Sequence, residues 1–510
     1  MTEPAARRVR LAGAGAGIVA GAFGLAVAHL VTAAGSGLRD PAVSVGDRLI
    51  DHVPLGVREW AIRTFATSDK AVLLTGVYFA LVVAAAYVGL AATTGHRFRA
   101  GASLAGLGVA GAWAAVASPT AGLEASSPTI VGVAATGAVL WWLTRPRPGG
   151  RARSDEAFDG GRRQIVAATA AVAVGALAVG GLGAALRRRF SVGTERLAVV
   201  LPRAKRQRPQ LKPGLEATVP NVSPLVTPNA SFYRIDTALF VPTVSKDSWR
   251  LRIHGMVNRE LTLTYVDLLA RDLIETDVTI ACVSNEVGGR LVGNARWLGA
   301  RLDDLLADAG IKPRADQVVG RSIDGWTSGF PVAALDGRDA IVAVGMNGEP
   351  LPVRHGYPAR LIVPGLYGYV SATKWLSDIE LTRFDRFSGY WIPRGWAPRA
   401  PIKTESRIDT PDGTVRAGRI PIAGVAWAGT RGIDRVEVRV DGGPWQPADL
   451  GPELARTTWR QWWLAWDAAP GTYDLTVRAT DGDGVTQTGE RATPIPDGAT
   501  GWHSRRVTVT

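Results

Sequence analysis

The run from Leu11 to Ala34 contains no Asp, Glu, Lys or Arg and is built from Ala, Gly, Leu and Val. It is long enough to cross a hydrocarbon core of roughly 30 Å, in which a backbone must satisfy its own hydrogen bonds as a helix. Similar runs recur at Ala71–Thr93, Ala100–Ser118, Thr129–Thr144 and Ile165–Leu186. Five transmembrane helices are expected, the fourth being the shortest, with Ala and Gly letting their backbones approach closely.

Arginine placement sets the orientation. Arg7, Arg8 and Arg10 precede the first run, Arg97 and Arg99 follow the second, and Arg145, Arg147, Arg151, Arg153, Arg162 and Arg163 lie between the fourth and fifth. If five spans alternate, all fall on one side, which the positive-inside rule makes cytoplasmic. Everything after Leu186 is then outside, in a multi-pass protein of the cell membrane whose long C-terminal part is extracytoplasmic. The cluster Arg187-Arg-Arg189 violates the rule. Gly161-Arg-Arg-Gln-Ile-Val-Ala167 accounts for it, because it resembles a twin-arginine export signal, read by its own translocase. The fifth segment is expected to stay as an anchor.

The formal net charge of +13 raises the question of nucleic acid. No basic patch interleaved with aromatics is present, so no nucleic-acid partner is expected. The charge reads as topology plus a Pro-rich basic linker, Leu201 to Pro213, lying against anionic headgroups. The expected organisation is a membrane region with its cytoplasmic linker over 1–163, the fifth helix over 164–187, and a linker over 188–226. A soluble α+β domain follows over 227–400, and a β-sandwich over 401–510. Short strands such as Trp249–Gly255 and Arg360–Val363, mixed with brief helical segments, support the α+β reading. Alternating runs such as Arg435–Val440 and Thr472–Arg478, with the Asp441-Gly-Gly443 turn, support the sandwich. Trp459-Arg-Gln-Trp-Trp-Leu-Ala-Trp466 places tryptophans on both faces of one of its strands.

Cys282 is the only cysteine. That excludes a disulfide, a Cys-x-x-Cys pair and an all-thiolate iron–sulfur site. A lone cysteine is ordinarily a small buried hydrophobe. The chemical readings that remain are a nucleophile or one soft ligand to a metal. A β-prone run ending at Ala281 delivers the thiol into a loop containing Gly288-Gly289, ahead of a helical segment with Leu302, Leu305 and Leu306.

The motif Ala281-Cys-Val-Ser-Asn-Glu-Val-Gly-Gly289, with Gly293-Asn-Ala-Arg-Trp-Leu-Gly-Ala300 and Leu302-Asp-Asp-Leu-Leu306, resembles the sulfite oxidase family of molybdopterin enzymes. The likeness continues through Met346-Asn-Gly-Glu-Pro-Leu-Pro352, His355-Gly-Tyr-Pro-Ala-Arg360, Pro364-Gly-Leu-Tyr-Gly368 and Thr373-Lys-Trp375, and begins upstream at Thr227-Pro-Asn-Ala-Ser-Phe-Tyr-Arg234. The resemblance implies a molybdenum–molybdopterin cofactor whose metal takes the Cys282 thiolate. It implies that Asn229, Phe232, Tyr233 and Arg234 form one wall of the pocket, that His355 and Arg360 hold pterin and phosphate, and that Ala372, Thr373 and Lys374 close the other side. Ser322 is carried over with less support because loop lengths differ there. Arg290 and Arg296 read as ordinary structural arginines. The C-terminal sandwich is implied to be the family's immunoglobulin-like domain, forming a homodimer or packing on the cofactor domain.

Electrons must pass to or from a separate cytochrome or quinone-linked partner, because no haem or iron–sulfur site is expected in this chain. Among six histidines only His29 lies well within a span, and His96 sits at the opposite end of the second. The family's sulfite-oxidising members place an arginine two residues after the position of Tyr233 and a tyrosine at the end of Gly389-Tyr-Trp-Ile-Pro-Arg-Gly-Trp396; here those positions hold Ile235 and Trp396. A missing charge-assisted pair costs about 1.5–3 kcal/mol of dianion binding. Arg234 or Arg394 can replace the charge from a shifted position, but an indole lacks the tyrosine's acidic hydroxyl. Catalytic roles are therefore expected for Cys282, Arg234, Arg394 and Trp396. The reading leans towards reduction of a sulfoxide-type oxo donor; a sulfite dehydrogenase is the alternative, and a non-catalytic binding protein of the same fold the second.

Overall fold

The computed structural model describes residues 3–32, 38–53, 57, 60, 64, 69–117, 122–145, 170–182, 192–238 and 241–510. The chain divides into two compact units, Met1–Ser191 with Ala238–Val241, and Val192–Thr237 with Pro242–Thr510.

In the first unit the helices Glu3–Thr32, Asp69–Thr93 and Ser127–Thr144 pack on one another through small residues. A Cβ on Gly89 would stand 2.2 Å from the Gly13 carbonyl oxygen and 2.5 Å from the Gly17 nitrogen. One on Gly24 would stand 2.4 Å from the Gly132 carbonyl oxygen. The first helix thus presents Gly13 and Gly17 to one neighbour and Gly24 to another, the small-xxx-small geometry by which apolar helices associate in lipid.

Among the described residues three helices are long and apolar enough to cross a membrane, Arg10–Thr32, Lys70–Thr93 and Leu123–Thr144. The sequence reading expected five. The helix Arg97–Val116 is not among the three, because it starts with two arginines and relies on Ala, Gly and Ser, which are weakly apolar. Of the fifth run, Ile165–Leu186, only the apolar helix Ala170–Leu182 is described; the rest of that run, Arg162, Arg163 and the Arg187–Arg189 cluster lie outside the described residues. His29 Nε2 approaches Asp40 Oδ2 at 2.7 Å.

The second unit holds four sheets. One five-stranded sheet runs, in spatial order, Leu261–Thr264, Arg250–Gly255, Leu376–Thr382, Gln317–Ser322 and Phe330–Pro331. A second runs Leu273–Ala281, Val292–Arg301, Ile341–Met346 and Glu349–Pro350, with Arg360–Ile362 also paired to Ile341–Met346. Leu251, Ile253, Val318, Ile379, Val342 and Leu361 share one core with Leu302, Leu305 and Leu306 of the helix Leu302–Ala309. The second sheet's other face buries Val278, Ile280, Trp297, Ile341 and Ala343 in a separate cluster. Being covered on both faces, its strand Ile341–Met346 is apolar throughout instead of alternating.

The C-terminal region is a sandwich of a four-stranded and a five-stranded sheet around Ile408, Ile422, Val436, Val438, Trp462, Leu475, Val477 and Val507. Its tryptophan strand faces three ways. Trp462 fills the sandwich core, Trp459 enters the core of the α+β domain and donates to the Leu225 carbonyl at 2.8 Å, and Trp463 packs on Val219 and Val222. The tryptophans expected on an outward face are therefore in part covered from within the chain.

The linker corrects the sequence reading. The sequence reading lays the basic part of the 188–226 linker, Leu201 to Pro213, against headgroups, yet Lys205 N donates to the Leu273 carbonyl and Glu275 N to that of Arg206, extending the second sheet. Arg206 pairs with Asp339 at 2.5 Å, and Gln461 holds both Leu215 N and the Ser223 carbonyl. Strand-edge hydrogen bonds and an acidic partner satisfy these basic residues within the domain.

Candidate active site

The strand Leu273–Ala281 ends one residue before Cys282, whose N–H still completes the ladder to the Leu291 carbonyl at 2.8 Å. The chain then turns. Asn285 N donates to the Cys282 carbonyl at 3.0 Å, and Asn285 Oδ1 accepts from Leu291 N at 2.8 Å, so one side chain closes the loop at both ends. Gly288 has φ of 80°, and a Cβ there would stand 2.2 Å from the His503 ring. Only glycine meets both conditions. The thiol is buried, which pushes its pKa up, while the Ser284 N–H and hydroxyl pull it down.

The opposite wall is the segment 227–237. Thr227 N donates to the Asn294 carbonyl, and a turn in which Phe232 N donates to the Pro228 carbonyl at 2.9 Å swings Phe232 inward. Phe232 stacks on Tyr233 at 5.4 Å and meets Trp297 and His355 edge-on at 6.0 and 5.7 Å. Asn229 is turned away from the cleft: its Nδ2 donates to the Met346 carbonyl, and its Oδ1 accepts from Asn347 of the Asn-Gly turn. Its backbone carbonyl nevertheless accepts from His355 Nε2 at 3.2 Å. Asn229 therefore orients the imidazole instead of lining the pocket.

His355 closes the short turn Val353–His355, and Arg360 opens the strand Arg360–Ile362. Burial first, then the positive charge of Arg360, pulls the His355 pKa down to about 3, so the ring is neutral. Arg360 is 4% exposed, donates to the carbonyls of His355 and Ala372 at 3.1 Å each, and lies 5.0 Å over the Trp297 ring. Among the described residues no carboxylate pairs with it and its Nε has no partner. Burial lowers its pKa to about 10, which leaves it charged at neutral pH. A buried, charged, unpaired guanidinium is costly unless an anion completes it.

Ala372 follows the one-turn helix Gly368–Ser371 and lines the cleft. Thr373 does not line it; its hydroxyl meets Ser328 Oγ at 2.7 Å behind the wall. Lys374 Nζ donates to Asp236 Oδ2 at 2.9 Å, and burial brings its pKa down to about 8 against the pull of Asp236. Arg234 Nε approaches the same oxygen at 3.2 Å. Ser322 Oγ is buried, lines the cleft and has no partner among the described residues.

These side chains surround a cleft of about 900 Å³ including its mouth, lined also by Cys282, Ile235, Trp326, Tyr369, Trp391 and Trp396. Arg394 does not line it. Its guanidinium lies 3.8 Å over the Tyr390 ring and donates to the Tyr390 carbonyl, so the charge expected from it is spent outside the cleft. Arg296, read as structural, pairs in two-pronged fashion with buried Asp277 at 2.8 and 2.9 Å. Asp236, Asp324, Trp326, Tyr369 and Trp391 were not anticipated. Asp236 lies two residues past the motif that ends at Arg234, Tyr369 directly follows the motif that ends at Gly368, and Trp391 is inside the segment Gly389–Trp396, so these three were within reach; Asp324 and Trp326 belong to no motif singled out above.

No cluster of three or more His, Cys, Asp or Glu among the described residues can hold a metal alone. A metal at Cys282 must bring most of its ligands with it. The donor set fits such a group: a thiol at a strand end, a neutral imidazole, an unpaired buried guanidinium and an unpaired buried hydroxyl, all opening on one cleft.

Residues 238–391 match the family described as oxidoreductase molybdopterin binding domain. Mitochondrial sulfite oxidase of Homo sapiens is 32% identical over 334 residues, 55% of this chain and 59% of that protein. The uncharacterized oxidoreductase YuiH of Bacillus subtilis (strain 168) is 33% identical over 151 residues, 30% of this chain and 73% of that protein. Among solved structures, the sulfane dehydrogenase SoxCD from Paracoccus pantotrophus is similar with a TM-score of 0.50 and 25% identity, covering 56% of this chain and 84% of that one. The chain thus spans a little under three-fifths of the length of the human enzyme it matches.

Proposed function

This chain belongs to the sulfite oxidase-like family of molybdopterin-binding oxidoreductases, and from that membership we propose that it transfers an oxygen atom at Cys282, reducing a neutral sulfoxide-type substrate at an extracytoplasmic, membrane-anchored site. The observation that carries the cofactor reading is Arg360, buried, charged and without a carboxylate, beside a neutral His355 and one cleft away from the sole cysteine.

The molybdenum cofactor supplies two-electron oxygen-atom chemistry when bound. In this reading Cys282 is the protein's ligand to the metal. Arg360 receives the cofactor's phosphate, with Ser322 Oγ as a further donor. His355, fixed by its Nε2–H bond to the Asn229 carbonyl, keeps its Nδ1 as an acceptor for a ring N–H. Tyr233 is held protonated, first by burial and then by Cys282, so its hydroxyl acts as a donor in the cleft. Trp326, Trp391 and Trp396 give the substrate an apolar wall and exclude water. Reduction of a sulfoxide consumes two electrons and two protons and releases the sulfide and water, the electrons coming from a separate cytochrome or quinone-linked donor.

Ile235 and Trp396 support the neutral substrate, since both line the cleft and neither carries charge. Three helices apolar enough to span a membrane and the arginine distribution support anchoring, and Arg162-Arg163 supports export. A homodimer through the immunoglobulin-like C-terminal domain remains part of the proposal. A non-catalytic binding protein does not explain why Cys282, His355, Arg360 and Lys374 converge on one cleft.

The test is a paired assay of purified, molybdenum-loaded protein, sulfite with ferricyanide against methionine sulfoxide with reduced viologen. Turnover of the sulfoxide alone supports the reading; turnover of sulfite with a low KM and none of the sulfoxide makes the enzyme a sulfite dehydrogenase. For export, Arg162→Lys with Arg163→Lys should leave the cofactor domain protected from protease added to spheroplasts. Unchanged cleavage removes the twin-arginine reading.

A further inference from the structure

Resting on the substrate reading above, we infer that Asp236 determines which charge the active site accepts. Its carboxylate engages two of the cations that line the cleft, Lys374 and Arg234, and so turns away dianionic oxyanions in favour of an uncharged oxo donor.

The geometry places this carboxylate between two cations. The Asp236 side chain is 4% exposed, and its Oδ2 takes both Lys374 Nζ at 2.9 Å and Arg234 Nε at 3.2 Å. Lys374 is itself 12% exposed, whereas Arg234 is 40% exposed and reaches in from the solvent side. All three residues line the same cleft as Cys282. The third cation there, Arg360, lies in the buried part of the wall against the His355 and Ala372 carbonyls, where the fit to a cofactor phosphate claims it. A substrate in this cleft therefore meets two cations already bound to one carboxylate.

The consequence follows from charge alone. A dianion gains from Lys374 and Arg234 only by breaking their contacts with Asp236, which then stands buried and repels it. An uncharged S-oxide or N-oxide needs no such exchange. Its oxygen accepts a hydrogen bond from a cation that keeps its carboxylate, and its alkyl groups lie on indole surface. Asp236 thus strengthens the bias already set by Ile235, by removing charge that remains and not charge that is missing.

The experiment is isothermal titration of the loaded, resting enzyme with two dead-end probes at constant ionic strength, sodium sulfate and dimethyl sulfone. In Asp236→Asn, sulfate should bind at least about tenfold tighter than in wild type while dimethyl sulfone changes by less than about threefold, the gain of one freed charge-assisted pair. Asp236→Glu, which keeps the charge, should leave sulfate near wild type. Equal sulfate affinity in wild type and Asp236→Asn overturns the proposal, as does equal tightening of both probes. Asp236→Ser carries the same expectation as the Asn variant if that one loads poorly. If both neutral variants lose molybdenum while Asp236→Glu retains it, Asp236 seats the cofactor and the specificity role is rejected. Because sulfate is not turned over, the outcome is separable from the direction of catalysis. A wild-type enzyme that oxidises sulfite, with an Asn variant that binds sulfate tenfold tighter, would sink the sulfoxide reading and leave Asp236 as the determinant.

Discussion

Asn285 Nδ2 donates to Glu405 Oε2 at 3.4 Å, tying the loop that carries Cys282 to the first strand of the C-terminal sandwich. Arg407, on the same strand, donates to the Gly289 carbonyl at 2.7 Å, and His503 fills the space beside Gly288. The cysteine loop is shaped from both sides of a domain boundary. The sandwich is thus part of the active-site support and not only an appended module.

Glu405 makes that support pH-dependent. Burial raises its pKa to about 8 against the opposing pull of Asn285, Lys403, Tyr367 and Arg407, so the folded protein keeps a proton that the unfolded chain releases near 4.5. The contribution of Glu405 to stability is then full below about pH 4.5 and is lost as pH rises through about 8. The thermal midpoint of the purified protein should decline across that window, and Glu405→Gln should flatten the decline. Parallel curves for the two proteins would refute the assignment.

Arg360 is expected to govern cofactor retention. Arg360→Met removes the guanidinium fork and should lower retained molybdenum ten- to a hundredfold, or about 1.5–3 kcal/mol. Arg360→Lys keeps a charge without the planar fork and should fall between. Metal analysis after gel filtration measures both, and full retention in the Met variant would place the phosphate elsewhere.

Cys282→Ser should abolish oxygen-atom transfer while the fold survives, because the ladder bond from the residue 282 N–H to Leu291 belongs to the backbone. A midpoint close to wild type with no turnover is the expected pair of results. Activity retained per bound molybdenum would mean the thiolate is not the ligand.

Gly89 tests the membrane packing. A side chain there meets the backbone of Gly13 and Gly17, which cannot yield, whereas nothing lies within 4 Å of a Cβ on Gly76 of the same helix. Gly89→Val should lower the thermal midpoint and the yield of monodisperse protein in detergent, and Gly76→Val should do neither. Equal tolerance would show that these helices do not meet at Gly89.

Much of the architecture was readable from periodicity. The long uncharged runs marked helices, and the alternation of Arg435–Val440 and Thr472–Arg478 marked strands of the sandwich. The cysteine loop was readable as well, since Asn285, Gly288 and Gly289 build the turn from local backbone needs.

Sequence by itself determined what is local: a lone thiol at a strand end, glycines where helices touch or a loop turns, and arginines able to hold an anion. Tertiary structure decided what depends on neighbours far along the chain. It turned Asn229 away from the cleft and gave it the His355 ring to orient, spent Arg394 on Tyr390, and packed the 199–226 stretch against a strand edge. It also brought Asp236 onto Lys374, which lies 138 residues away in sequence. Hydrogen-bond geometry and charge act over a few ångströms of space, and spacing along a chain does not report which side chains will share them.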